Sequence, residues 1–252
     1  MGDNIILAIS PQIGTLYGIG VGPGDSDLIS VKGLNRLQNC PIVAYPAGLQ
    51  GKPGIAEQII SPWLSSQYRL PLIFPYVQEP EQLNEAWQRA AKIVWKFLGK
   101  GQDIAFACEG DIGMYSTFNY LADTLINLHP QALIQRIPGI SSPMAAAAAL
   151  NLPLTYQRDR LAILPTLQRL ESLTEALTWA DVVVLLKVSS VYPQVWQVLK
   201  QHDLLQSSSI VIRASTAEQE VYHNLEPYPD LELPYFSLLI ITQPGGSKST
   251  LG

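Results

Sequence analysis

The stretch TLYGIGVGPGDSD, residues 15–27, decides the fold of this chain. It packs Gly18, Gly20, Gly22 and Gly24 into seven residues, between a short apolar run and a helical pattern. That reads as a β-strand turning into a loop whose backbone lies close against something else, followed by a helix. A second stretch, ACEGDIGMY at residues 107–115, repeats the plan: apolar 104–108, then Glu109-Gly110-Asp111. Two glycine turns at strand ends point to one ligand site.

Outward from these turns the chain alternates. Residues 16–20, 42–45, 69–74, 103–108 and 133–137 read as strands. Residues 26–37, 55–64, 81–98 and 116–128 read as helices between them, the first capped by Asp25 or Ser26 and burying Leu28, Val31, Leu34 and Leu37. In the long third helix Trp87, Ala91, Val94 and Leu98 share one side, and Gly99 and Gly101 stop it. Strand–helix alternation implies a largely parallel sheet. Pro138-Gly139-Ile140-Ser141-Ser142 then opens an alanine-rich helix over 143–150. Beyond Pro153, residues 161–164, 182–187, 209–213, 220–223 and 235–242 read as strands and 191–202 as a helix. The last strands are close in sequence, so mixed or antiparallel pairing is expected. The division is an N-terminal α/β domain over 1–137, with 1–14 an extension, and a C-terminal α/β domain over 138–252, with 245–252 a flexible Gly/Ser tail.

Composition sets bounds. Of 252 residues 47% are apolar and only 15% charged, with net charge −5 and no basic tract. A nucleic-acid surface is therefore not expected, although local arginines can still bind an anionic substrate. Cys40 and Cys108 end apolar runs and read as buried thiols, with no disulfide framework. The apolar run 5–9 is too short for a signal-peptide core and no run approaches a membrane span. A cytoplasmic protein with no membrane partner is expected. No His/Cys group has metal-ligand spacing. His129 and His202 sit at helix ends and read as surface residues. The tryptophans Trp63, Trp87, Trp95, Trp179 and Trp196 read as core or dimer surface.

The glycine turn is not a dinucleotide fingerprint. In G-x-G-x-x-G the third glycine follows three after the second, and the three registers place Pro23, Asp25 and Asp27 there. Carboxylates at that helix start also oppose a pyrophosphate. The looser G-x-G-x-G of Rossmann-type methyltransferases matches Gly18, Gly20 and Gly22, but it needs a carboxylate ending strand two. Val43-Ala44-Tyr45-Pro46 supplies none, and Glu57 lies inside a helix.

Gly20-Val-Gly22-Pro23-Gly24-Asp25, then Glu109-Gly110-Asp111 with Tyr115, then Pro138-Gly139-Ile140-Ser141-Ser142 resemble the tetrapyrrole (corrin/porphyrin) methylase family over residues 15–243. Together the three motifs, in this order, are specific. Tyr45-Pro46-Ala47, Cys108-Glu109-Gly110-Asp111 and PGISSPMAAAAAL ending at Pro153-Leu154 resemble the branch that methylates C20 of precorrin-2 or cobalt-factor II in cobalamin synthesis. Another tetrapyrrole methylase, acting on uroporphyrinogen III or precorrin-4, a diphthine-type synthase, or a non-catalytic tetrapyrrole-binding module are the alternatives. The chain departs from the family at Ile112-Gly113, where a proline usually follows Glu-Gly-Asp.

The resemblance implies a two-domain α/β homodimer with S-adenosylmethionine folded into the cleft between domains, a mostly parallel first sheet and a mixed second one. It implies that Pro23 borders the cofactor. Glu109, Gly110, Asp111 and Met114 offer mainly backbone contacts, Ser141 and Ser142 bind at a helix start, and Lys187 and Ala214 enclose the adenine. The chemistry is then an in-line methyl transfer governed by alignment and exclusion of water, with no catalytic triad and the base that takes the C20 proton unassigned. An acidic tetrapyrrole needs basic side chains: Arg158 and Arg160 are expected to bind its carboxylates, and Tyr115 to border it.

Overall fold

The computed structural model describes residues 12–48, 52–75 and 79–244. The expected N-terminal extension, apart from its last residues, and the expected tail lie outside them. The chain divides into two compact units, Met1–Ile140 and Ser141–Gly252.

The first unit is a five-stranded, all-parallel sheet: β1 Thr15–Gly20, β2 Ile42–Pro46, β3 Tyr68–Leu72, β4 Ile104–Cys108 and β5 Leu133–Ile137, in the order β3-β2-β4-β1-β5. Its helices are α1 Val31–Asn39, α2 Ile55–Ile60, α3 Pro80–Leu98 and α4 Thr117–Leu128. The central strands read as continuous apolar runs because both faces are covered. Leu16, Ile104 and Phe106 pack under α3 and α4, while Tyr17, Ile19, Ala105 and Ala107 pack under α1 and α2. Ala91, Val94 and Leu98 of α3 are fully buried. Burying Val94 and Leu98 contributes about 1.5–3 kcal/mol each. The exposed Arg89–Glu85 pair on the same helix adds at most about 0.5 kcal/mol, so the apolar face holds α3 in place. Gly18 is needed for packing: a Cβ there would stand 2.5 Å from the buried Phe118 ring of α4.

The first helix is shorter than its apolar spacing predicts. Residues Ser26–Leu28 form a 3-10 turn capped by Asp25, and α1 starts only after its own cap, Ser30, whose hydroxyl accepts from Gly33 N at 3.2 Å. Val31 is consequently 76% exposed rather than on the buried face. A real N-cap outranks a hydrophobic period when both compete for a helix start.

The second unit is a mixed sheet of β6 Leu161–Leu164, β7 Val182–Leu186, β8 Ser208–Ile212, β9 Glu220–His223 and β10 Ser237–Thr242, in the order β6-β7-β10-β8-β9. Only β6 and β7 pair in parallel; the other pairs are antiparallel, as expected from the short connections. The helices are α5 Ser142–Ala149, α6 Glu171–Trp179 and α7 Tyr192–Gln201. Helix α6 is missing from the sequence reading. It buries Leu173, Ala176 and Leu177 but carries only nine residues and no side-chain cap. Tyr235 and Phe236, read as strand residues, instead precede β10.

Candidate functional site

All five strands of the first sheet end on one edge, so the loops after β1, β4 and β5 converge there. The chain leaves β1 for β2 across β4, and leaves β4 for β5 across β1. The β1/β4 pair is therefore where the winding direction reverses, the place where open α/β sheets receive ligands.

In this chain that crevice is stitched shut by backbone. Val21 N donates to Cys108 O at 2.9 Å, Gly22 N to Gly110 O at 3.2 Å, and Gly110 N to Gly22 O at 2.8 Å. The loop after β5 presses on the same point. A Cβ on Gly20 would lie 2.6 Å from Gly139 N and 2.7 Å from Gly110 O, and one on Gly139 would lie 2.5 Å from Gly110 O and Gly20 O. The glycines of the three motifs are thus small for one another. This is what the backbone of the first loop lies against.

Asp111 completes the knot. One carboxylate oxygen accepts from Gly113 N at 2.8 Å and the other from Gly139 N at 2.9 Å. Both oxygens of Asp111 brace loops, and α4 takes its cap from Ser116, whose hydroxyl accepts from Phe118 N at 3.1 Å. Ser116 also donates to Cys108 Sγ at 3.0 Å. Burial pushes the Cys108 thiol up to about 11, so it stays protonated and serves as packing. Tyr45, closing β2, donates to Glu57 of α2 at 3.1 Å, which commits the nearest carboxylate at that strand end to a tyrosine.

The donor set tests which cofactor fits. A phosphate cradle needs several free N–H groups at a helix start. Here the N–H groups of Val21, Gly22, Gly110, Gly113 and Gly139 are all given to protein acceptors. Gly110, by contrast, has φ +69 and open space where a Cβ would stand. Around it Glu109 is exposed, Met114 half-buried, and Tyr115 59% exposed at φ 51. Glu109, Gly110, Met114 and Tyr115 are therefore the residues beside this open space that could hold a cofactor. Pro23, half-buried, follows Gly22 on the same edge.

In the second unit Ser141 is buried as the residue before α5, and Ser142 is that helix's first residue. Lys187 follows β7 and the buried Ala214 lies just beyond β8; β7 and β8 run in the same direction, so both residues stand on one edge of the second sheet. Arg160 is not on that edge. It precedes β6, and its Nε and backbone N both donate to Asp181, at 3.1 and 2.8 Å, at the start of β7. Asp181 is held below its ordinary range by that guanidinium. Arg158 is exposed in the loop before β6, where Asp159 accepts from Tyr156 N at 2.8 Å. Among the described residues no group of three or more His, Cys, Asp or Glu could hold a metal, and no helix is long and apolar enough to cross a membrane. His202 and His223 are exposed, and His129 stacks on Trp95 with centroids 4.0 Å apart. Of the tryptophans, Trp196 is buried and Trp179 is 43% exposed.

A sequence model of the Tetrapyrrole (Corrin/Porphyrin) Methylases matches residues 15–227. The chain belongs to the tetrapyrrole methylase family. A mycobacterial relative, the cobalamin biosynthesis protein CobIJ of Mycobacterium bovis, is 33% identical across 94% of this chain and 47% of its own length. The chain thus spans about half of that relative. The probable cobalt-precorrin-2 C(20)-methyltransferase of Methanocaldococcus jannaschii is 30% identical across 82% of this chain and 85% of its own length. The same methylase fold occurs in the uroporphyrin-III C-methyl transferase of Thermus thermophilus complexed with S-adenyl homocysteine, with TM-score 0.62 and 18% identity over 91% of this chain and 98% of that one.

The sequence reading missed three things at these edges. Asp111 acts through its carboxylate on the backbone of the β5 loop, a contact across 28 positions with no local signature. Arg213 stands beside Ala214 and was passed over. Tyr235 and Phe236 were absorbed into a strand.

Proposed function

We propose that this tetrapyrrole methylase transfers a methyl group from S-adenosylmethionine to C20 of precorrin-2 or of its cobalt-containing analogue. The observation that carries the reading is the glycine knot: the N–H groups of Val21, Gly22, Gly110, Gly113 and Gly139 are given to protein acceptors, while Gly110 opens onto free space beside Glu109. The C20 assignment draws on the Methanocaldococcus jannaschii relative and on the motif details of the branch.

When bound, S-adenosylmethionine supplies an electrophilic methyl on a sulfonium, and its leaving group departs neutral. The proton to be handled is the one that C20 releases after the new C–CH3 bond forms, and a carboxylate or water takes it up. Pro23, Glu109, Gly110, Asp111 and Met114 form a braced edge whose role is to fix a donor's position; Asp111 does so through Gly113 and Gly139. Ser141 and Ser142, at the start of α5, and Lys187 and Ala214, at one edge of the second sheet, are the further residues put forward for it. Fixed alignment in a site that excludes water is worth several kcal/mol of barrier in a bimolecular transfer. Tyr115 and Arg158 are the residues put forward for the substrate. The chain is proposed to act as a homodimer in the cytoplasm.

The test is paired. Calorimetric titration with S-adenosylmethionine and with NAD should show binding of the first alone. Label from methyl-labelled S-adenosylmethionine should then enter precorrin-2 or cobalt-factor II. Binding of NAD, or donor binding without label transfer to either ring, would refute the reading.

A further inference from the structure

The turn that follows β1 is fixed at both ends. Gly22 pairs with Gly110 at one end. At the other, Ile29 is buried beside Ser30, the cap of α1. Between them, residues 23–28 include Pro23, which the proposed function puts beside the donor. The bonds within this stretch are local: Leu28 N donates to Asp25 O at 3.2 Å, and Asp27 N to the Asp25 carboxylate at 2.9 Å. Local bonds shape a turn but do not fasten it to the rest of the unit.

A bond from far along the chain does fasten it. The Trp63 indole N–H donates to Ser26 O at 3.2 Å, across 37 positions. Ser26 opens the 3-10 turn Ser26–Leu28, so the bond grips the middle of the stretch. Trp63 comes from a body that is itself held. It ends the 3-10 turn Ser61–Trp63, which continues α2, and it packs half-buried against the cluster that contains Tyr17, Ile19 and Leu37. Helix α2 buries Ala56, Ile59 and Ile60 and is tied to the end of β2 by the Tyr45 hydroxyl on Glu57. An indole has one donor and no acceptor, on a rigid ring. It therefore selects a single carbonyl at a set distance. Packing accounts for the Trp63 ring but not for where its N–H points.

We infer that Trp63 is a positioning residue for the methyl donor: its N–H fastens the 23–28 turn and so holds Pro23 where the donor meets it. The inference rests on the donor reading above and adds a residue that acts through the loop. A turn left free must be ordered each time a ligand binds, and a turn already fastened need not be. Loss of the N–H therefore shows in donor affinity more than in overall stability.

The experiment compares Trp63→Phe, which keeps a ring and removes the N–H, with Leu64→Ala, which cuts packing on the same cluster and spares the loop bond. S-adenosylhomocysteine is titrated by calorimetry into wild type and both variants, and Tm is recorded for each. Trp63→Phe should weaken S-adenosylhomocysteine about 3–10-fold, the scale of one neutral hydrogen bond. Leu64→Ala should lower Tm at least as much and leave that affinity within about twofold. In methyl transfer, Trp63→Phe should raise the KM for S-adenosylmethionine and leave the KM for the ring substrate unchanged. In the free protein, hydrogen exchange at Asp27 and Leu28 should quicken about 3–10-fold in Trp63→Phe alone. Unchanged S-adenosylhomocysteine affinity in Trp63→Phe, equal weakening by Leu64→Ala, a joint rise of both KM values, or unchanged exchange at these two amides would each overturn the positioning role. Wild type that fails to bind S-adenosylhomocysteine overturns the methylase reading instead, and the exchange comparison then still decides whether Trp63 fastens the turn.

Discussion

Replacing Gly139 by alanine strikes the point where the three motif loops cross. The new Cβ would stand 2.5 Å from Gly110 O, Gly20 C and Gly20 O, against 3.4 Å at the near limit of ordinary contact, so the loops must separate by about 0.9 Å. All three obstacles are backbone atoms, which no rotamer change can relieve. Overpacking of this kind costs about 1–3 kcal/mol, or a fall in Tm of about 2–12 °C at this chain length. Separation also breaks the alignment of Gly110 with the donor, and S-adenosylhomocysteine affinity should fall about tenfold or more, equivalent to at least about 1.4 kcal/mol. Gly110→Ala is the comparison: its Cβ meets nothing within 4 Å, and only the φ of +69 opposes it, a strain of about 1–2 kcal/mol. Thermal unfolding and calorimetry on both variants measure the difference. If Gly139→Ala melts like wild type and binds S-adenosylhomocysteine unchanged, the loops are not locked together and the reasoning fails.

Four other perturbations follow from the structure. Asp111→Ala frees two N–H groups, so S-adenosylhomocysteine binding should weaken about tenfold, while the pH optimum of methyl transfer stays put; loss of the acid limb of the Asp111→Asn profile with intact cofactor affinity would instead mark it as a base. Cys40 and Cys108 are raised from 9.0 to about 11 by burial; because the folded form holds these protons more tightly, stability is full below pH 9 and is lost between about pH 9 and 11, which alkaline unfolding scans should show and a double Cys→Ala variant should flatten. Arg158→Ala should raise the substrate KM with donor affinity unchanged. Arg160→Ala should act chiefly through Asp181: the depressed carboxyl favours the fold above its ordinary pKa of 3.8 and that support is lost as pH falls through the folded value, so the variant should show a smaller loss of Tm on acidification. A rise in substrate KM for Arg160→Ala as large as that for Arg158→Ala would place Arg160 at the substrate instead.

Much of the fold was legible because its signals are local. The runs at β1, β2 and β4 are apolar on both faces, and parallel strands under two helical layers have to be. Helix α3 announces itself through Ala91, Val94 and Leu98. Where reading failed, local signals conflicted or were weak. Ser30 displaced the start of α1, since one capping hydroxyl fixes a helix start more firmly than an apolar spacing. Helix α6 has a buried face of three residues and no cap to mark it.

The site was legible as motifs but not as contacts. Glycine spacing excluded a dinucleotide before any coordinates, because the third glycine was absent. That Gly20, Gly110 and Gly139 are small for each other could not be read, since their contacts span loops up to 119 positions apart. Arg160 shows a second case: strand pairing brings its guanidinium to Asp181, a contact that its proximity to Arg158 in sequence does not reveal. Tyr235 and Phe236 show a third, in which hydrophobicity mimicked a strand where two rings stay half exposed.

The central claim is a methyl group placed on one carbon by alignment alone. Incubating the protein with S-adenosylmethionine carrying a 13C methyl, together with precorrin-2 or cobalt-factor II, and locating the label by NMR tests it directly. The account predicts a single new methyl resonance at C20. Label at C11 or another ring position, or no transfer to either ring, would contradict it.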